Sequence, residues 1–117
     1  MSKSIVLEKA FGFALRIVKL NRYLIEDKKE YVLSKELLIS GTHIGKHIKA
    51  ATNGETHLIF TNEMGIALRR ASETEYWLEL LFQADYLTEK EFDSINKDRT
   101  EIFALLTSIV KTSKQND

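Results

Sequence analysis

The sequence predicts an all-α protein, an antiparallel up-down-up-down bundle of four helices. The 117 residues contain no proline and only five glycines, so helix-breaking residues are almost absent. Residues 60–81, FTNEMGIALRRASETEYWLELL, form the longest uninterrupted helical pattern. Four amphipathic segments of about twenty residues alternate with short polar ones, which is typical of an antiparallel bundle. Residues 1–117 are therefore predicted to be one domain.

The first helix is predicted over residues 4–25, with Ser2 or Ser4 as its N-cap. Its predicted core side consists of Leu7, Ala10/Phe11, Ala14, Ile17/Val18 and Leu24. The residues before Tyr23 carry five basic groups and one acidic group, which gives a local charge of +4. Residues 26–30, EDKKE, contain no apolar residue and are predicted to form the first loop.

The second helix is predicted over residues 31–52, with an apolar face formed by Leu33, Leu37, Ile44, Ile48 and Ala51. Two glycines lie on or beside this face, Gly41 and Gly45, and each costs about 1 kcal/mol relative to alanine. Close approach of another helix would compensate for that cost. Asn53 and Gly54 are predicted to end the helix, with Gly54 in the left-handed conformation.

The third helix is predicted over residues 57–84, with Thr56 as its N-cap. Its apolar stripe recurs at steps of four and three and consists of Phe60, Met64, Ala67, Ala71, Thr74, Leu78 and Leu81. Small residues lie in the middle of the stripe, where they allow a neighbouring helix to come close.

The fourth helix is predicted over residues 89–112. Thr88 and Glu91 have the spacing of a capping box, and Leu87 and Phe92 flank it as a hydrophobic staple. The apolar series that follows is Phe92, Ile95, Ile102/Phe103, Leu106 and Ile109/Val110.

The composition excludes several classes of function. The chain has no cysteine, so disulfides, thiolate metal sites and cysteine nucleophiles are excluded. Its formal net charge is +0, which argues against a polycation built for nucleic acid. No apolar run is long enough to span a membrane, and the N-terminus lacks the core of a signal peptide. We expect a cytoplasmic protein without a membrane partner.

Two histidines are the main candidates for a metal site. His43 and His47 are four residues apart on one predicted helix, so their rings can point the same way. Together the two rings can supply half of the ligands of a zinc or nickel site, which His57 or a carboxylate would complete. However, the sequence lacks an H-E-x-x-H motif, and Lys46 between them would repel a cation. The interpretation we favour is a pair of solvated or hydrogen-bonded histidines.

Paired carboxylates suggest acid–base catalysis, but the spacing here argues against it. Glu73 and Glu75 are two residues apart, so on a helix they point to different sides and cannot flank one bond. A salt bridge from Glu73 to Arg69 or to a neighbouring subunit is the favoured role. We therefore expect no catalytic residue, cofactor, metal or small-molecule substrate, and no enzymatic activity.

Two segments resemble a known family. LLISGTHIGKHIKAA and FTNEMGIALRRASETEYWLELL are similar to the two signatures of the four helix bundle protein family, also named after proteins encoded in intervening sequences of bacterial 23S rRNA genes. The second segment fits best, through Met64, Ile66, Ala67, Leu68, Ala71, Glu73, Thr74, Tyr76, Trp77 and Leu78. The chain departs from the signatures in charge, at His43, Lys46, His47, Ala50, Glu63 and Arg70.

The resemblance implies a bundle that assembles into a ring-like homopentamer without catalytic activity. Glu73, Tyr76 and Trp77 are then candidates for the oligomer interface, with burial of the two aromatic rings inside the monomer as the alternative. A related branch, the accessory protein of diversity-generating retroelements, implies a basic surface for nucleic acid.

The candidate contacts to RNA or DNA are Lys46, Lys49, Arg69 and Arg70. Residues 85–101 carry a local charge of −3, so the charge asymmetry also suits head-to-tail contacts between subunits. The favoured function is a non-enzymatic structural or interaction module that forms a ring-like homo-oligomer. The alternative is a nucleic-acid-binding accessory protein that reads backbone charge and shape.

Overall fold

The four predicted helices are present. The computed structural model describes residues 4–116, with helices α1 (Ile5–Glu26), α2 (Leu33–Thr52), α3 (His57–Gln83) and α4 (Glu89–Gln115). No strand occurs among these residues. Helix α2 begins two residues later than predicted and α4 extends three residues further, whereas the other bounds agree to within one residue. The prediction of an all-α four-helix bundle is confirmed.

Each helix packs against its two neighbours around a shared core. The neighbouring pairs are α1–α2, α2–α3, α3–α4 and α1–α4, of which the last is in least contact. Within residues 4–116, no Cα atoms of a diagonal pair of helices lie within 8 Å of each other. The helices therefore occupy the corners of a square, with α2 between α1 and α3. In the same part of the chain, no helix is long and apolar enough to cross a bilayer.

Three of the predicted caps are confirmed. The side chains of Ser4 and Thr56 accept hydrogen bonds from backbone N–H groups three residues on, at 3.2 and 3.1 Å. Thr88 and Glu91 form the complete capping box, with bonds of 2.8 and 3.1 Å. Ser2, the alternative first cap, lies outside the described residues. Side-chain acceptors thus fix where α1, α3 and α4 begin.

Helix α2 is capped by Glu30, a residue of the predicted first loop for which no capping role was predicted. The buried carboxylate of Glu30 accepts hydrogen bonds from the backbone N–H groups of Val32, Leu33 and Ser34, the last at 2.7 Å. Burial opposes ionisation of Glu30, but these backbone N–H donors prevail and hold its pKa below the ordinary value. Glu30 is therefore the anchor of the first connection.

The prediction of a left-handed Gly54 is wrong. No glycine among residues 4–116 has a positive φ, and the left-handed residues are Lys29 (φ 57°) and Asp85 (φ 69°). A Cβ atom at Gly54 would lie 2.8 Å from Cγ2 of Ile59. Glycine is needed at this position for space rather than for backbone conformation.

The core follows the α3 stripe as predicted. Six of its seven residues are buried, and Phe60 is partly buried against them. The close approach predicted at the α2 glycines is also confirmed, with α1 as the partner. A Cβ atom at Gly41 would lie 2.8 Å from Cγ1 of Ile17, and one at Gly45 would lie 3.6 Å from Cβ of Ala10.

Part of the core predicted for α1 is wrong. Phe11 and Val18, given as alternatives to Ala10 and Ile17, are 65% and 39% exposed, whereas Phe13 is buried at 2%. The buried residues of α1 are Val6, Ala10, Phe13, Ile17 and Leu24. This series faces the α2 glycines, and it turns the Phe11 side of the helix outward.

Helix α4 buries Ile95, Ile102, Leu106 and Val110 of its predicted apolar series, whereas Phe92 and Ile109 are partly buried and Phe103 is 36% exposed. The helix also buries one charged residue that was not predicted to be in the core. Arg99 lies in the same series as Ile95 and Ile102 and is 4% exposed. Its guanidinium donates to the Glu75 carboxylate at 2.9 Å and to the Ala71 carbonyl at 3.4 Å. Burial lowers the pKa of Arg99 despite the nearby Glu75 carboxylate.

Candidate self-association surfaces

Helix α1 carries a second apolar face that no other helix within residues 4–116 covers. Phe11 is 65% exposed, Leu15 is 50% exposed and Val18 is 39% exposed. Their spacing of four and then three residues places them on one side of the helix. We call these three residues the outer stripe. Contiguous apolar surface of this kind marks a site of interaction more often than isolated exposed residues do.

Beside the outer stripe, α1 and α2 enclose a groove of about 690 Å³. Its lining is mostly apolar, and it comprises Leu7, Phe11 and Ala14 from α1, Thr42 and Gly45 from α2, and the charged residues Glu8, Lys46 and Lys49. Gly45 has no side chain to fill the space between the helices. The absence of a side chain at Gly45 therefore contributes to the groove.

A different surface lies between α2 and α3, where the three predicted interface residues meet. Tyr76 is 62% exposed, and its ring packs edge-on against Trp77 with ring centroids 5.0 Å apart. The two rings and Glu73 line a shallow recess of about 200 Å³ together with Glu36, Ile39, Ser40 and Arg70. We call these residues the Tyr76 surface.

The two aromatic residues predicted for the interface differ in burial. Trp77 is half-buried and packs against the core, while Tyr76 projects from α3. Glu73 forms its ion pair with Arg70, at 3.2 Å, and not with Arg69 as predicted. Both spacings allow an ion pair on a helix, and Glu73 pairs with Arg70 at i,i+3 instead of Arg69 at i,i+4.

The predicted nucleic-acid contacts do not form one patch. Lys46 and Lys49 are exposed in the groove, Arg70 is bound to Glu73, and Arg69 is exposed on α3. Lys46, Lys49 and Arg69 form no ion pair with any residue between 4 and 116. Three of the four predicted cations are thus available to an anionic partner.

Two of the four basic residues of α1, Lys9 and Arg16, form ion pairs with α4. Lys9 forms an ion pair with Glu101, and Arg16 donates to Asp98 at 2.7 Å and to the hydroxyl of Ser94 at 2.9 Å. The positive first helix and the negative start of α4, read as a charge asymmetry from the sequence, therefore partly neutralise each other.

The histidine pair does not assemble a metal site within residues 4–116. Nδ1 of His47 lies 2.7 Å from the Glu63 carboxylate, and the rings of His43 and His47 meet edge-on at 6.2 Å. The described part of the chain contains no cluster of three suitable metal ligands. Burial, followed by the charges of Lys46 and Arg70, lowers the pKa of His43.

Sequence reasoning missed the outer stripe, although its signal was present. The series Phe11, Leu15 and Val18 has the same helical period as the buried series, and the two are offset by one position around the helix. A helix with two apolar faces indicates a second contact, and the buried face can be identified only once Gly41 and Gly45 are known to meet α1.

Comparisons with known proteins agree with the resemblance noted in the sequence. Residues 2–108 match the family model described as 23S rRNA-intervening sequence protein. Among solved structures, the chain is similar to a protein of unknown function from the S23 ribosomal protein family of Bacteroides thetaiotaomicron VPI-5482. The two share 48% identity over 92% of this chain and 96% of that one, with a TM-score of 0.90. No functionally curated protein matches the sequence.

Proposed function

The chain belongs to the 23S rRNA-intervening sequence protein family, and we propose that it is a non-enzymatic structural or interaction module that forms a ring-like homo-oligomer. The family match and the similar structure of unknown function indicate no enzymatic family. The proposed assembly is the homopentamer that the sequence resemblance implies.

The outer stripe of α1 carries this proposal. Its three side chains are large, apolar and exposed to 65%, 50% and 39%. Complete burial of such a side chain from full exposure contributes about 1.5–3 kcal/mol, so a contact that covers the stripe gains the part of this value that corresponds to the exposed fraction. In a monomer these side chains stay in contact with water, so this free energy is gained only on association. Copies of the same chain are partners that are always available, and most soluble oligomers are homo-oligomers with closed symmetry.

The mass of the protein in solution tests the proposal. Light scattering and sedimentation should give a mass of about five times the 13.5 kDa of the chain. Phe11→Glu should shift the mass to the monomer, because it places a charge in the proposed contact. Leu58→Glu is the matched control, since Leu58 is 67% exposed but lies outside both surfaces. A monomeric wild-type protein would overturn the proposal.

The second candidate is a protein that binds the backbone of RNA or DNA. It is favoured by Lys46, Lys49 and Arg69, which form no ion pair within residues 4–116. It is also the function of a branch related to the family that the sequence resembles, the accessory protein of diversity-generating retroelements. A ring would repeat these cations in every subunit, which increases avidity for a polyanion without any new type of contact.

Titration of a fluorescent structured RNA and a matched DNA duplex at two salt concentrations tests this candidate. We expect binding that weakens steeply with salt, because neutralised phosphates release counterions. Arg69→Glu is the informative variant, since Arg69 lines neither the groove nor the Tyr76 surface and its loss should leave the assembly intact. Absence of binding at low salt would exclude the candidate.

A further inference from the structure

The groove is larger than the recess on the Tyr76 surface, and the ring of Tyr76 beside that recess is exposed. The groove is concave and mostly apolar, with a volume of about 690 Å³. The Tyr76 ring is 62% exposed and projects from α3, where Trp77 supports it from one side. An aromatic ring that is held in place is suited to fill an apolar groove, because little conformational entropy is lost when it docks.

The charges of the two surfaces are complementary. The groove presents the exposed ammonium groups of Lys46 and Lys49, neither of which has an ion-pair partner among the described residues. The Tyr76 surface presents Glu36 and Glu73, and Glu79 follows Tyr76 at the next turn of α3. The groove also contains the carboxylate of Glu8, and Arg70 pairs with Glu73 on the Tyr76 surface. The groove therefore carries a net charge of +1 around an apolar centre, and the Tyr76 surface together with Glu79 carries −2 around an aromatic centre.

These charges argue against two-fold pairing of either surface with itself. Two grooves face to face would bring the lysines of both copies together, and two Tyr76 surfaces would bring their carboxylates together. Contact between unlike surfaces places Lys46 and Lys49 near carboxylates instead. The outer stripe residue Phe11, which also lines the groove, would be covered in the same contact.

We propose that the Tyr76 surface of one copy docks in the α1–α2 groove of the next copy, in a head-to-tail contact. The proposal rests on the self-association proposed above and identifies the two faces that form it. Tyr76 occupies the groove against Phe11 and Ala14, while Glu73 and Glu79 face the lysines.

The position of the two surfaces accounts for a closed ring. Helix α2 contributes to both, with Thr42, Gly45, Lys46 and Lys49 on one side and Glu36, Ile39 and Ser40 on the other. The groove and the Tyr76 surface lie on the two sides of α2. A contact between the groove of one copy and the Tyr76 surface of the next therefore rotates the copies relative to each other about an axis on the α2 side of the bundle. A head-to-tail contact that turns in this way closes into a ring when the rotation fits. Helix α2 then lies innermost.

A mixing experiment with two variants tests the proposal. Phe11→Glu removes the groove but keeps the Tyr76 surface, and Tyr76→Glu does the reverse. Each variant alone should be monomeric, with its assembly at least about thirtyfold weaker, the change expected when a central interface residue is lost. Mixed at equal concentration, the two should form a one-to-one dimer that does not grow, because only one competent contact remains.

The outcomes separate this proposal from the proposed function. A monomeric wild-type chain removes both. A wild-type oligomer that Tyr76→Glu leaves intact overturns the head-to-tail contact alone, because the assembly then uses another face. Two monomeric variants that fail to pair on mixing also overturn it. Circular dichroism verifies that both variants are folded, as expected for exposed positions.

Crosslinking gives a second and independent measurement. The chain has no cysteine, so single thiols can be placed without background. Lys49→Cys and Glu73→Cys proteins, mixed and treated with a short bismaleimide, should give the mixed crosslink in excess over either homodimer. Leu58→Cys, mixed with either protein, is the control and should give none. Predominance of the two homodimers would overturn the proposal.

Discussion

The two faces of α1 are both apolar, yet only one of them is part of the core. The inner face consists of Val6, Ala10, Phe13, Ile17 and Leu24, and the outer face consists of Phe11, Leu15 and Val18. Hydrophobic periodicity shows that a face is to be covered, but it does not identify the partner. What distinguishes the faces is the neighbouring helix, because the α2 glycines receive the inner face and leave the outer face beside an open groove.

The largest expected difference in stability between the two faces is for two phenylalanines on α1. Phe13 is 2% exposed and Phe11 is 65% exposed. Phe13→Ala should lower the free energy of unfolding by about 3–5 kcal/mol, because it leaves a cavity in the core. Phe11→Ala should change it by less than about 0.5 kcal/mol.

Urea denaturation at a protein concentration low enough to keep the wild-type chain monomeric measures both values, because assembly would otherwise add to the apparent stability. Equal losses for the two variants would show that Phe11 belongs to the core, and the distinction between the faces would then fail.

Two glycines provide the next test, since one meets the inner face and the other lies in α1 itself. A Cβ atom at Gly41 would lie 2.8 Å from Cγ1 of Ile17, whereas one at Gly12 would have no heavy atom within 4 Å. Gly41→Ala should therefore destabilise the protein by about 1–2 kcal/mol, as overpacking exceeds the gain in helix propensity. Gly12→Ala should stabilise it by about 0.5–1 kcal/mol.

Thermal unfolding followed by circular dichroism gives the sign of both changes. A stabilising Gly41→Ala would mean that Ile17 moves aside without cost and that the inner face is more loosely packed than its burial suggests.

Glu30 extends the comparison to the connection that holds α2 against the inner face. Its carboxylate caps α2, and its backbone N–H donates to the carbonyl of buried Leu24 at 2.9 Å. Glu30→Gln should cost about 1–2 kcal/mol at neutral pH, the range for loss of a helix cap. Glu89→Gln, at an exposed acidic position in the first turn of α4, is the control and should cost less.

The pH dependence has a definite sign. The pKa of Glu30 in the folded protein lies below the ordinary value of 4.5, so its stabilising contribution is complete above that pH and is lost as the pH falls through the folded pKa. The stability difference between the wild type and Glu30→Gln should therefore shrink during acid titration. A difference that stays constant down to low pH would show that the carboxylate is not the capping group.

The sequence predicted the elements of this fold because their signals are local. The Thr88–Glu91 capping box and the α3 stripe each lie within a few helical turns, and both are present as expected. Burial of Arg99 could not be predicted, because it depends on Glu75 and the Ala71 carbonyl of another helix. The same holds for Phe11, whose exposure depends on how α2 packs against α1.

The smallest expected change in stability is for the ion pair between Arg16 of α1 and Asp98 of α4. Arg16 donates to Asp98 at 2.7 Å, and both side chains are about half exposed, at 41% and 47%. Asp98→Asn should therefore cost no more than about 0.5 kcal/mol, and the cost should fall further as salt is added, because exposed ion pairs are weak and screened. Glu55→Gln, at an exposed position in the connection between α2 and α3, is the reference for a change in charge alone.

The result decides where the inner face of α1 ends. A small and salt-sensitive loss would place Arg16 on the solvent side, so that the covered part of α1 ends at its contact with α2. A loss above about 1.5 kcal/mol would instead make the Arg16–Asp98 contact a structural part of the bundle, since exposed pairs do not reach that value. The outer face would then be narrower, and its contact with a second copy would be confined to the groove side of the helix.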